Sequence, residues 1–153
     1  MKKCMCVCLL ILSLAASIAV AAGLEDVYND AQRYFRRGDY GAAIELWTNI
    51  IEAESSGTSL EGIDLSTVYF NRGLSYKRLF KWKEASDDFS MVLGFYPNDA
   101  EALYQRGGCY KMMGLVDKAD ADIARACDLA DSYCTAKMLE DKQKKTEKEN
   151  KYR

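Results

Sequence analysis

Shifted against itself by 34 residues, the chain matches in a pattern too regular for chance. Residues 71–77 (NRGLSYK) fall on residues 105–111 (QRGGCYK), with Arg72/Arg106, Gly73/Gly107, Tyr76/Tyr110 and Lys77/Lys111 identical. The same shift places Ala85 on Ala119, Asp88 on Asp122 and Phe89 on Ile123. A further copy lies upstream at an offset of 42, matching Ala31 to Gly73, Tyr34 to Tyr76, Tyr40 to Trp82, Ala43 to Ala85 and Trp47 to Phe89. The surplus fits one insertion, and the polar, glycine-containing stretch 55–62 supplies a loop for it. A unit this short cannot bury its apolar face alone. It must stack on its neighbours, so the chain is built as an array.

Each copy reads as two helices. The small residue and the tyrosine three later share one helical face. A turn follows near Gly38-Asp39, Phe80-Lys81 or Gly114-Leu115. Gly38 and Gly114 suit a helix end that needs positive φ. Phe80 does not, so that turn is expected to close some other way. The second helix then carries a small–large pair: Ala43/Trp47, Ala85/Phe89 or Ala119/Ile123. Small residues let helices approach, and the large ones fill the remaining space. Pro97 ends the second copy, and Asn98 is expected to cap the next helix with Glu101 completing a capping box.

The small-x-x-Tyr motif, the Gly-Asp-Tyr turn at 38–40, the alanines 43, 85 and 119 and Pro97 resemble tetratricopeptide repeats. The resemblance covers about residues 24–131, in repeats of about 24–57, 66–99 and 100–133. It implies an all-α fold, an α-α superhelix or solenoid of three such helical hairpins. Residues 133–153 would then form a capping helix and charged tail, with Ala136, Met138 and Leu139 as its apolar edge. The chain departs from the family where Trp47 replaces a smaller aromatic. Proline is absent after the first and third repeats. Asp30, Arg72 and Arg106 stand where leucine is usual.

The resemblance also implies a concave groove, lined by the first helix of each repeat, that holds an extended peptide or a helix. Three positions recur in register there. Tyr28, Phe70 and Tyr104 form an aromatic row, and Asn29, Asn71 and Gln105 an amide row beside it. Gln32, Leu74 and Gly108 come next, followed by the basic Arg36, Lys77, Arg78 and Lys111. Amides donate and accept, so a ladder of them can hold a peptide backbone without reading its sequence. Aromatic rings add apolar contact with little rotamer entropy to lose. The basic group suits acidic groups on the partner. The alternative use of the aromatics is packing between neighbouring first helices. The family's carboxylate clamp has a lysine where this chain has Tyr28, so capture of a free C-terminus is not implied.

Composition narrows the chemistry. There is no histidine, which removes the commonest general base and metal ligand. The acidic doublets Glu25-Asp26 and Asp87-Asp88 are expected on solvated surface. No catalytic residue, metal or cofactor is expected, and the protein is read as a binding module, not an enzyme. The net charge of −2 gives no electrostatic footprint for nucleic acid. An alternative function is a structural subunit of a cell-envelope complex, self-associating through the repeats with Trp47, Trp82 or the cap as contacts.

The N-terminus reads as an address. Met1-Lys2-Lys3 precedes an uncharged run from Cys4 to Leu24, and Ala19-Val20-Ala21 has the small-x-small form of a secretory cleavage site. Residues 1–21 are therefore expected to be a signal peptide, cleaved after Ala21 or Ala22. Export to a bacterial periplasm or full secretion follows. An uncleaved span of this length would instead anchor the chain to a membrane, the one route to a membrane partner. Cys4, Cys6 and Cys8 leave with the signal. Cys109, sitting between Gly108 and Tyr110, is expected to be buried and inert. Cys127 and Cys134 flank the turn before the last helix, and their spacing alone is compatible with two free thiols. The segment ACDLADSYC resembles the junction of exported cysteine-rich helical-hairpin proteins, which implies a Cys127–Cys134 disulfide.

Overall fold

The computed structural model describes residues 23–58 and 62–151; the signal-peptide reading lies outside them. Among the described residues every regular element is helical: α1 (23–37), α2 (Tyr40–Ser55), α3 (Leu65–Arg78), α4 (Trp82–Phe95), α5 (Ala100–Met112), α6 (Val116–Leu129), a 3-10 turn at Asp131–Tyr133, and α7 (Ala136–Lys151). None of these helices is long and apolar enough to cross a membrane. The chain divides into two compact units, one up to Leu79 and one from Phe80.

The helices start and stop for local reasons. Asp39 caps α2 by accepting from the Ala42 N–H at 3.2 Å, and Asp99 caps α5 by accepting from the Ala102 N–H at 2.8 Å. The expected cap at Asn98 is thus one residue early, and the Glu101 capping box does not form. Asn98 instead accepts from Arg125 Nη2 of α6 at 2.7 Å. Asp64 caps α3 most fully: Oδ1 accepts from the Ser66 N–H at 3.0 Å, and Oδ2 from the hydroxyls of Ser66 and Thr67 at 2.7 and 2.9 Å. Partial burial opposes its ionisation, but these hydrogen bonds prevail and hold its carboxyl below the ordinary value.

The three turns inside the repeats close alike. After α1 and α5 the chain enters the left-handed region at Gly38 (φ 82°) and Gly114 (φ 75°). The amides of the next residues, Asp39 and Leu115, bond back to the carbonyls of Tyr34 and Tyr110 at 3.0 and 2.9 Å, the Schellman pattern. Phe80, expected to avoid this conformation, adopts it too (φ 61°). Its Cβ crowds the following carbonyl there, a cost of about 1–2 kcal/mol. The ring is largely exposed and rests edge-on against Trp82, 5.6 Å between centroids.

In the first unit the core gathers Leu24 and Ala31 of α1, Ala43, Trp47 and Ile50 of α2, and Val68 of α3. In the second, Ala85, Phe89, Val92, Ala102, Leu103, Cys109, Ala119, Ala126 and Cys127 are buried. Small residues set how closely α5 and α6 approach. A Cβ on Gly107 would lie 2.9 Å from Ile123 Cγ1 and 3.1 Å from the Ala119 carbonyl oxygen. Glycine at this repeat position is therefore steric, a seat for the large residue of the second helix.

Asp88, expected on the surface, is buried, whereas its neighbour Asp87 is exposed and pairs with Lys83 at 2.8 Å. Asp122, one repeat later, is buried as well and shows what such an acid does. Arg106 grips it bidentately, Nε to Oδ2 at 2.7 Å and Nη2 to Oδ1 at 2.9 Å, and its Nη1 reaches Ser90 Oγ at 3.1 Å. This clasp ties α4, α5 and α6. The hydrogen bonds Arg106 donates to Asp122 outweigh partial burial and raise the affinity of the guanidinium for its proton.

At the C-terminal end Cys127 and Cys134 form a disulfide with Cα atoms 4.6 Å apart. Lys142 Nζ of α7 donates to the Cys127 carbonyl at 2.9 Å and to Asp131 Oδ1 at 2.8 Å. An open cleft of about 470 Å³ lies between Ala124, Cys127 and Asp128 of α6 and Met138, Lys142 and Thr146 of α7.

Candidate peptide-binding site

On α1, residues 28, 32 and 36 follow at intervals of four and share one face. Tyr28 packs edge-on against Trp47 of α2, 5.2 Å between centroids, so this member of the aromatic row faces the core and is half-buried. Asn29 is exposed. Arg36 folds back over one turn, its Nε donating to the Gln32 carbonyl at 3.3 Å and its Nη2 to Gln32 Oε1 at 3.2 Å. On α3, Phe70, Asn71, Leu74 and Lys77 are half-buried and Arg78 is exposed at the helix end.

Within this unit the fold brings three of the sequence-derived residues together. Gln32, Arg36 and Asn71 surround a pocket of about 250 Å³, with Phe35 and Trp47 completing its wall. Its edge is polar and its wall aromatic. The Arg36 bond occupies the Gln32 carbonyl oxygen and leaves the amide NH₂ of that side chain as the donor toward a ligand.

In the second unit α5 carries Tyr104, Gln105, Gly108 and Lys111. Lys111 is exposed and Gln105 half-buried. Tyr104 stacks on Tyr133 of the 3-10 turn, 5.1 Å between centroids and tilted by 37°. Tyr133 precedes the bridged Cys134, so the disulfide and the Lys142 bonds fix the ring that covers Tyr104. Partial burial, then the negative fields of Glu101 and Asp99, push the Tyr133 phenol up from its ordinary value.

Sequence reasoning missed Phe35 and Trp47 as pocket walls, Tyr133 as the partner of Tyr104, and the role of Arg106. The arginine had a signal. Arg72 and Asp88 are sixteen apart, as are Arg106 and Asp122, and both pairs recur at the repeat length. Opposite charges recurring together mark a contact better than either does alone. Phe35 and Tyr133 recur in no other copy, so no periodic signal points to them.

Comparison with known proteins bears on the fold. Residues 67–99 match the family model of the tetratricopeptide repeat. The chain is 31% identical over 101 residues to the mitochondrial import receptor subunit TOM70 of Homo sapiens, and equally to that of Mus musculus. The match takes in 66% of this chain but 16% of the receptor, so the chain spans only a small part of the curated relatives it matches. Among solved structures, the first TPR of Spaghetti (RPAP3) bound to the HSP90 peptide SRMEEVD superposes with TM-score 0.61 at 19% identity, over 81% of this chain and 90% of that one. MamA from Desulfovibrio magneticus gives 0.64 at 19% identity, over 72% and 59%. PcrH in complex with the chaperone-binding region of PopB gives 0.60 at 17%, over 72% and 82%. The chain thus carries a tetratricopeptide repeat at residues 67–99, and its described residues have an all-α fold of consecutive helical hairpins.

Proposed function

We propose that the chain is an exported, non-enzymatic interaction module that holds a peptide or a segment of a partner protein along the first helices of its repeats. The carrying observation is the gathering of Gln32, Arg36 and Asn71 around one pocket. These groups suit a polypeptide backbone and acidic groups on the partner. The similar structures support the general reading, since that of Spaghetti holds an HSP90 peptide and PcrH holds a region of PopB. TOM70 is itself a receptor. Export rests on residues 1–21 and suits the disulfide at Cys127–Cys134.

Pull-down by the tagged mature protein from its native envelope or medium tests the groove. The double change Phe70→Ala with Asn71→Ala should cut partner capture while circular dichroism stays unchanged. Undiminished capture would move the site elsewhere. N-terminal sequencing of the protein outside the cytosol should begin at residue 22 or 23; retention of residues 1–21 would make the segment an anchor. The assembly reading draws on exposed apolar side chains, Phe95, Tyr96, Met112 and Val116 among them. Trp47, one of its expected contacts, is fully buried and unavailable to a partner's surface. A monomeric mass in solution would remove that reading.

A further inference from the structure

Phe80 holds the left-handed turn conformation that Gly38 and Gly114 hold in the other repeats, and its ring is 74% exposed, so burial does not offset the strain. A strained residue that the fold itself leaves unexplained points to a use outside the fold. Its neighbours at the same end of the second unit are exposed as well. Met112 at the end of α5 is 60% exposed, Val116 at the start of α6 is 59% exposed, and Leu115 between them is open to solvent too. The contacts of α5 show that these residues share one end. Arg106, midway along α5, reaches Ser90 of α4 and Asp122 midway along α6. Asn98, just before α5, meets Arg125 near the end of α6. The three helices are therefore antiparallel neighbours, which brings the start of α4, the end of α5 and the start of α6 together.

The charged residues around this end are mostly basic. Residues 80–84 and 111–118 carry Lys81, Lys83, Lys111 and Lys118 against Glu84 and Asp117. All six are exposed. Lys118 lies over the Tyr110 ring, and Lys83 pairs with the exposed Asp87, a surface bond weak enough to exchange for another anion. The opposite end of the same helices is acidic: residues 95–101 and 128–133 carry Asp99, Glu101, Asp128 and Asp131 and no basic residue. The unit is thus polarised along its helices, within a chain whose net charge is −2. Residue type says what the basic end suits. Protein interfaces are enriched in arginine and poor in lysine, and these two segments hold four lysines and no arginine. Lysines beside Phe80 and Trp82 suit a lipid surface, where rings sit at headgroup level and flexible ammonium groups meet phosphate.

We propose that this end of the second unit docks on an anionic lipid surface. Phe80, Met112 and Val116 enter the headgroup boundary, and Lys81, Lys83, Lys111 and Lys118 meet lipid phosphates around them. No described helix is long and apolar enough to cross a membrane, so the contact lies in the interface and needs no spanning segment. The acidic end favours the same orientation, because anionic headgroups repel it and turn it away from the surface. A few inserted side chains bind weakly by themselves, so docking is reversible and depends on the charge of the lipid. The proposal goes beyond the peptide-binding reading and does not depend on it.

The test is flotation of the mature protein with vesicles of phosphatidylcholine containing one-third phosphatidylglycerol, against vesicles of phosphatidylcholine alone. The mature form keeps the apolar residues 1–21 out of both arms. The protein should float with the anionic vesicles and stay behind with the neutral ones, and added salt should release it. The protein has two tryptophans, and Trp47 is buried, so a blue shift and quenching by bromine-labelled lipid chains report on Trp82 beside Phe80. Phe80→Gly should weaken binding about tenfold with circular dichroism unchanged, and Lys81→Gln and Lys111→Gln about fivefold each. Because glycine eases this turn, a loss in Phe80→Gly cannot be put down to misfolding. Undiminished binding by Phe80→Gly overturns the insertion, and equal binding to neutral vesicles overturns the role of the lysines. Absence of flotation overturns the proposal and leaves the groove reading standing. Absence of flotation together with reduced partner capture by Phe80→Gly would give this end to a protein instead of a lipid.

Discussion

Up to Leu79 the helices meet through large apolar side chains: Trp47, Ile50 and Val68 are shut from solvent, and Leu24, Ala31 and Ala43 close around them. From Phe80 onward the buried residues are mostly smaller, and a charged clasp and a covalent bridge supplement them. The equivalent arginines differ in some of the groups they meet. Arg72 donates to the neutral Thr48 hydroxyl at 3.1 Å and lies over the rings of Tyr69 and Tyr76. Arg106 holds the buried carboxylate of Asp122 and lies over Tyr110, whose ring also meets Lys118. A repeat fixes the direction in which each helix presents its side chains, and some of the groups met there differ from copy to copy.

That comparison can be broken experimentally, beginning with the largest effect. Trp47→Ala empties the centre of the first unit and should cost about 4 kcal/mol, read by chemical denaturation. Asp122→Ala leaves Arg106 half-buried without its acid and should cost about 3 kcal/mol. If Asp122→Ala proves neutral, the clasp is incidental and both units rest on apolar packing. Replacing Cys127 and Cys134 together by serine should lower stability by about 2 kcal/mol for so short a loop, with the loss appearing in a thermal melt. The effect on Tyr133 sharpens the point, because Tyr104 should become more accessible to solvent quencher once its neighbour is untethered.

Smaller effects probe the helix ends. Asp64→Ala removes a cap and should cost about 1 kcal/mol at neutral pH. The Asp64 carboxyl is held below its ordinary value of 3.8 when folded, so its contribution is complete above that value. It is lost as pH falls through the lower folded value. The difference between the parent and Asp64→Ala should therefore shrink in acid below that range, and a difference that persists unchanged there would show that ionisation is not what the cap uses. Phe80→Gly relieves a left-handed phenylalanine but loses its contact with Trp82, for a net gain of about 0.5 kcal/mol in thermal stability.

The sequence carried the repeat because periodic positions do the same job in each copy. Gly107 illustrates this: its recurrence with Gly73 marked a close approach before any contact was visible, and the Ile123 contact gives the reason. The turns at Gly38 and Gly114 were legible because glycine alone enters the left-handed region freely. Phe80 was not, since the geometry required of all three turns overrode the preference of one residue. Asn98 and Asp99 are both good caps, and only the exact start of α5 separates them. Of the groove residues, Gln32, Arg36 and Asn71 proved to share a pocket, whereas Tyr28 and Tyr104 each lean on an aromatic ring that no spacing rule marks.

By itself the sequence determined that this chain is an array of helical hairpins with amides and cations along its first helices. Hydrophobic period and recurring small residues are local properties, written in the order of the residues. Tertiary structure decided which polar groups are buried and whom they meet. Asp122 becomes half of a clasp only because α5 places Arg106 beside it, and Trp47 holds a buried indole N–H without a partner among the described residues only because α1 and α3 close over it. Burial and partnership depend on what arrives from elsewhere in the chain, and no window of neighbouring residues holds that information.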